Sequence, residues 1–292
     1  MTAHRRTLIH GWLLLLPAAV LLVGFTHYPA VATFLDSLFS TGTVIRPSRF
    51  VGAGNYRLLL DDPVFAKVLL NTVLFALGTV PAAIALALVM ALWVNRRLPA
   101  RGLVRLAYFT PTILPMIAVA NIWLFFYTPG IGLLDQIGAR FGLPGHNWLG
   151  DTDTVLGCLM VMTVWKEAGF FMIFYLAALQ TLPPELFEAA RLEGAGRWVV
   201  FRRLTFPLLM PTTLFVLINA VLNSFKLVDH LFILTKGGPD NASNLLLYYI
   251  YETAFSFFDT AYAATLTMVL LALLAVLGVG QFLLLDKRVH YR

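Results

Sequence analysis

The chain has 292 residues, of which 59% are hydrophobic and only 12% charged, and its mean hydropathy is +0.80. Soluble domains are roughly 45–50% apolar, so a soluble fold is excluded and a polytopic all-α membrane protein is expected. The net charge of +6 would suit nucleic acid, but the placement of the charges, taken up below, accounts for it without such a partner.

Residues 1–10 carry Arg5 and Arg6, and an apolar run over 11–35 follows. That run is long enough to cross a bilayer at about 1.5 Å per residue. A signal peptide ending near Ala30-Val31-Ala32 is the alternative, but the run is long for one and the charge pattern requires a span. Residues 36–66 are mixed and polar, with Phe50-Val51-Gly52 and Asn55-Tyr56. The second span is expected over 71–93, with Gly78 and Pro81 as kink points. A basic loop follows (Arg96, Arg97, Arg101, Arg105). The third span covers 106–127 and is interrupted by Pro111 and Pro115. Residues 128–153 read as a loop rich in Gly and Pro, and 154–179 as the fourth span, which contains Cys158, the only cysteine. No internal disulfide is available, and no Cys/His spacing suits a metal.

The loop over 181–206 is dense in charge, with Glu185, Glu188, Arg191, Glu193, Arg197, Arg202 and Arg203. Pro183 and Pro184 suit a first helical turn, where a missing N–H does no harm. Gly194 and Gly196 suit a left-handed helix end. Leu186, Ala189, Ala190 and Glu193 share one narrow face, and its alanines permit a close approach. A second short helix over 197–206 should stop at Pro207. The fifth span covers 207–227, with an extension to 234. An outer loop over 235–260 holds Lys236-Gly237-Gly238-Pro239, and the sixth span covers 261–285. One membrane domain over 1–292 is expected.

With both termini in the cytoplasm, the inner side holds Arg5, Arg6, Arg96, Arg97, Arg101, Arg105, Arg191, Arg197, Arg202, Arg203, Lys287, Arg288 and Arg292. The outer side holds Arg46, Arg49, Arg57, Lys67, Arg140 and Lys236. Thirteen against six is the positive-inside bias. The same orientation puts the 181–206 loop inside the cell.

An ionisable or amide group within a span is costly and by default faces a cavity or a partner. Lys166 and Glu167 lie in the fourth span beside Trp165 and, being adjacent, point to different faces. Asn219, Asn223 and Lys226 repeat at helical spacing on the fifth span, and Asn121 lies on the third. Amides offer donors and acceptors together and aromatic rings offer stacking, a combination that suits hydroxyl-rich ligands. The alternative is that these groups join helices to each other. His230 is expected near the outer surface, without a ligand role. No phosphate loop, nucleophile elbow or paired catalytic carboxylates are present, so no catalytic residue is assigned and the chain is not read as an enzyme.

Glu188-Ala189-Ala190, with Glu193, Gly194, Ala195, Pro207 and Pro211, resembles the EAA loop of binding-protein-dependent ABC importer permeases. Glu193 stands where the family usually has Asp, and Phe206-Pro207 where it has Leu-Pro. The Phe50–Tyr56 stretch, Thr128-Pro129-Gly130-Ile131-Gly132-Leu133, the Gly-Gly-Pro turn, Val164-Trp165-Lys166 and the Gln281…Arg288-Val289…Tyr291 ending are similar to the sugar and glycerol-3-phosphate branch. The resemblance implies the maltose-type, type I permease fold with six transmembrane helices. It also implies a multi-pass position in the bacterial inner membrane. In such permeases the EAA loop is a coupling helix seated on an ATPase. The implied partners are a second homologous permease, two copies of a cytoplasmic ABC ATPase, a periplasmic or lipid-anchored binding protein and the lipid bilayer. ATP and Mg would be bound by the ATPase, leaving no cofactor in this chain. The implied cargo is a carbohydrate or polyol, with sn-glycerol-3-phosphate or a glycerophosphodiester as the alternative. A stand-alone secondary transporter is the more distant reading.

Overall fold

A computed structural model of the chain describes residues 3–42, 46–96 and 100–286, excluding the side chains of 3–10, 282 and 284–286. In chain order the first helices are α1 (Ala3–Leu22), α2 (Tyr28–Asp36), α3 (Gly54–Leu60), α4 (Pro63–Val94) and α5 (Arg101–Ile113). Next come α6 (Met116–Tyr127), α7 (Leu133–Arg140), α8 (Val155–Thr181), α9 (Pro184–Leu192) and α10 (Arg197–Val200). The last are α11 (Phe206–Leu208), α12 (Met210–Lys226), α13 (Asp229–Leu234), α14 (Leu246–Tyr251) and α15 (Thr260–Asp286). Wider π-turns occupy Val23–His27, Phe201–Thr205 and Glu252–Ser256. The expected ending at Arg288–Tyr291 and the basic residue Arg97 lie outside the described residues.

Among the described residues five helical stretches are long and apolar enough to cross a membrane: Gly11–Asp36, Pro63–Val94, Val155–Thr181, Met210–Leu234 and Thr260–Gln281. The third expected span is not one rod. It is α5 and α6, bent by 99° at Leu114–Pro115. Leu114 is extended (ψ 136°), as the residue before a proline prefers, and Pro115 has no N–H to carry the helix across. The second span begins at Pro63 rather than 71 and continues as helix through Gly78 and Pro81. Short helices α7 and α14 occupy segments expected as loop.

Pro207 does not stop the helix before it. The π-turn Phe201–Thr205 leads straight into α11, where the Phe206 N–H bonds Phe201 O five residues back. The same arrangement precedes Pro29, where the Tyr28 N–H bonds Val23 O. A proline ring collides with the carbonyl four residues back in an α-turn. A π-turn is wider and relieves that collision.

The chain divides into two compact units, 1–62 with 250–272 and 63–249 with 273–292. In the first, the buried Asn55 amide donates to Ser37 O (2.9 Å) and Phe39 O (2.7 Å), while Tyr56 Oη shares a hydrogen bond with Ser37 Oγ (2.8 Å). These two residues of the Phe50–Tyr56 stretch hold the turn after α2. Phe39 and Phe50 pair through their backbones and meet ring edge to face.

In the second unit α4 and α8 pack along their length, α12 lies against both, α5 against α8, and α13 against α6. Ala83, Ala87 and Ala91 repeat every four residues on α4 and are buried. Small residues at such a seam let helices approach closely. Two apolar cores form. One gathers Val80, Ala87, Phe171, Tyr175, Leu179 and Val216, with Val104 and Tyr108 of α5 against it. The other gathers Phe75, Val119, Leu159, Met162, Leu231 and Tyr248. On α8 the cores thus claim 159–162 and 171–179, and Lys166 and Glu167 fall between them.

Candidate coupling loop and polar layer

The loop after α8 builds a short free-standing helix. Pro184 opens α9 at its first position, and no residue of α9 is buried. Leu192 is 91% exposed. The helix closes with the hydrogen bonds of a Schellman motif: Ala195 N–H to Ala190 O (2.9 Å) and Gly194 N–H to Arg191 O (3.0 Å). Gly194 takes the left-handed conformation this requires (φ +70°). Ala190, Gly194 and Ala195 are therefore parts of one turn. Glu188, Arg191 and Ala195 line a cleft of about 1200 Å³, together with Arg96, Trp198 and Phe201. Pro207 and Pro211 sit within the first two positions of α11 and α12, so the loop passes into the fifth span through two proline-started turns.

Halfway along α8 a polar layer separates the two cores. Lys166 is 9% exposed, and its ammonium donates to Leu114 O (2.9 Å), Pro111 O (3.3 Å) and Thr112 O (3.3 Å). In return Thr112 Oγ1 donates to Lys166 O (3.0 Å). Three residues along, Gly169 lets α5 lie directly on α8: a Cβ there would stand 2.2 Å from Tyr108 O. Glu167 turns to the opposite side. It meets Asn223 in a cavity of about 10 Å³ lined also by Thr79, Thr163 and Ser224. That volume holds about one water. Thr163 Oγ1 is buried without a partner. Elsewhere in the spans Thr72, Thr79, Thr110, Thr213, Thr265 and Thr267 each donate to the carbonyl four residues back.

The other sequence-derived candidates are spread more widely. Asn219 and Asn121 each donate to a carbonyl of their own helix, Phe215 O (2.8 Å) and Ile117 O (2.9 Å). Lys226 is exposed in the last turn of α12. Trp165 is 39% exposed and meets Trp123 of α6 edge to face, with centroids 5.8 Å apart. Trp123 packs in turn on Phe126 and Tyr127, and its indole N–H has no partner. His230 is not near the surface as expected. It is fully buried and stacked on Phe75 at 5.8 Å, because α13 packs against α6 and its Leu231 and Leu234 join the second core. Among the described residues no three His, Cys, Asp or Glu side chains gather as a metal site.

The family described as "Binding-protein-dependent transport system inner membrane component" matches residues 83–291. The chain belongs to this family. The permease is 34% identical over 262 residues to the sulfoquinovosyl glycerol transport system permease protein of Agrobacterium fabrum, covering 89% of this chain and 85% of that one. It is 34% identical over 281 residues to the lactose transport system permease protein of Rhizobium radiobacter, covering 94% and 93%. Among solved structures, a chain of a bacterial ABC transporter involved in the import of the acidic polysaccharide alginate shares the fold of the permease. The TM-score is 0.85 at 21% identity, over 98% of this chain and 99% of that one. Membership makes the permease a multi-pass inner membrane transport component and decides the choice left open against a stand-alone carrier. The matched region takes in the EAA loop and every polar-layer residue except Thr79.

Proposed function

We propose that the chain is the pathway-forming permease of an ATP-driven importer of a glycoside or polyol, and that it catalyses no reaction of its own. The observation that carries the reading is α9: a proline-started, glycine-terminated helix with no buried residue, between the fourth and fifth spans. A helix left bare in the isolated chain suits docking on another subunit. Both termini then lie in the cytoplasm, as the thirteen-to-six excess of basic residues supports. The partners are a second permease, a pair of ABC ATPases that bind ATP and Mg, and a periplasmic or lipid-anchored binding protein. Glu188, Ala189, Ala190, Glu193, Gly194 and Ala195 form the docking element, and Pro207 and Pro211 pass its motion into α12. The relatives named for sulfoquinovosyl glycerol and lactose support a glycoside as cargo. Amides and tryptophans near mid-span suit it too.

The test is uptake into vesicles holding the permease with its partner permease, ATPase and binding protein. The panel comprises disaccharides, glycosyl glycerols, polyols and sn-glycerol-3-phosphate. ATP-dependent uptake of a glycoside or polyol is expected. Uptake confined to glycerol-3-phosphate, or unaffected by removal of the ATPase, would replace the reading.

A further inference from the structure

We propose that Lys166 is a positioning residue whose ammonium holds the break in the third span, and thereby sets Trp123 against Trp165 in the translocation pathway. The argument begins with donors and acceptors. In an α-helix the Pro111 carbonyl would accept from the N–H of residue 115, and residue 115 is a proline. The helix ends at Ile113 and the chain turns by 99°, which frees the carbonyls of Thr112 and Leu114 as well. Away from water, three bare carbonyls are costly. An ammonium has three hydrogens. Lys166 directs them at these three oxygens, at the negative end of α5. The lysine and Pro115 thus form one device: the proline removes the partners and the lysine supplies them from a neighbouring helix.

The device has a direction. Thr112 Oγ1 on Lys166 O and the bare backbone of Gly169 fasten α5 to α8 on the same face. α6 leaves the break toward the second core and brings Trp123 to Trp165, the residue before Lys166. Glu167, the residue after it, meets Asn223 of α12. Consecutive residues of α8 therefore hold the broken span on one side and the helix leading from the coupling loop on the other. This inference rests on the pathway reading above for its role in transport, but not for its geometry.

The experiment uses the complete transporter in vesicles, with spin labels at positions 103 and 125. Both positions are exposed, and the native Cys158 is buried. Two variants are compared, Lys166→Met and Lys166→Met with Pro115→Ala. Lys166→Met should lower the melting temperature. Restoring an N–H at position 115 should recover most of that loss while the third span straightens. At about 1.5 Å per residue, straightening a 99° bend lengthens the 103–125 separation by roughly 10 Å. Transport by the double variant should stay at least tenfold below that of the labelled parent. If Lys166→Met does not assemble, the double variant alone carries the test. An unchanged separation in the double variant, additive losses of melting temperature or parental transport rates would overturn the proposal. If the cargo is wrongly assigned, the parent fails on the panel while the separations and melting temperatures still follow the proposal.

Discussion

Asn71 on α4 donates its side-chain amide to Asn241 O at 2.8 Å and reaches Asn244 O at 3.1 Å. One buried asparagine thereby pins the turn that follows Lys236-Gly237-Gly238-Pro239. Its neighbour Thr72 accepts the Leu246 N–H at 2.9 Å, so two consecutive residues of α4 hold the start of α14. Asn71→Leu strands two backbone carbonyls and should cost about 2–3 kcal/mol. Equilibrium unfolding in detergent measures it, and a loss no larger than that of an exposed substitution would show that the turn is held elsewhere.

Asp135 organises the segment between α6 and α8. Its carboxylate accepts from Gly130 N–H (2.7 Å), Trp148 Nε1–H (2.8 Å) and His146 N–H (3.3 Å). The Gly130 amide, then the Trp148 indole, hold its carboxyl below the ordinary carboxylate range. A depressed value means that these bonds stabilise the segment fully above the ordinary range and are lost as pH falls through the lowered value. The carboxylate-dependent change in Trp148 emission should therefore come below about pH 4, where a free Asp half-protonates. Asp135→Asn should remove that acid transition. A transition at the ordinary carboxylate value in the parent would contradict this.

Gly194 stands at φ +70°, and a Cβ there meets nothing within 4 Å. Any penalty at this position is thus one of backbone conformation alone. Ala should cost about 1–2 kcal/mol in the turn, and Asn, which tolerates the left-handed region, less. Assembly should be normal for both. In the assembled transporter, Gly194→Ala should leave ATP hydrolysis by the ATPase subunits in place but give several-fold less transport per ATP, and Gly194→Asn should stay near the parent. Glu188→Arg, which reverses a charge in the cleft beside α9, should insert normally and lose coupling as well. Equal coupling ratios for Ala, Asn and the parent would remove the turn from the mechanism.

The amides of α12 should differ in kind. Asn223 faces Glu167 in the polar layer, whereas the Asn219 amide is committed to its own helix. Asn223→Leu should cut uptake about tenfold or more, since Glu167 loses its amide partner. Asn219→Leu should stay within about threefold. The reverse order would shift the pathway to the other part of α12.

The spans were legible because twenty apolar residues in a row have few other fates, and the EAA loop because charge, proline and glycine coincide there. What the prolines do was legible only in part. Pro111 and Pro115 marked an interruption, but its sharpness depends on a donor from another helix, Lys166, more than fifty residues away. Pro207 looked like a stop because the one-residue widening before it leaves no trace in composition. His230 was misplaced for a related reason: nothing local says that α13 packs against α6 and brings this side chain onto Phe75. Short helices such as α7 carry too little periodicity to stand out from loop. At mid-α8 adjacency alone showed that Lys166 and Glu167 face different ways, while the identity of their neighbours is a property of the packing.

The π-turn at Phe201–Thr205 also works as a rotary offset. One residue added to a helix turns everything after it by about 100°, so this widened turn sets the azimuth at which Asn223 meets Glu167 when α12 is viewed down its axis. Deleting a single residue there would leave every side chain of α9 and of α12 intact in kind, yet aim those of α12 at the wrong neighbours.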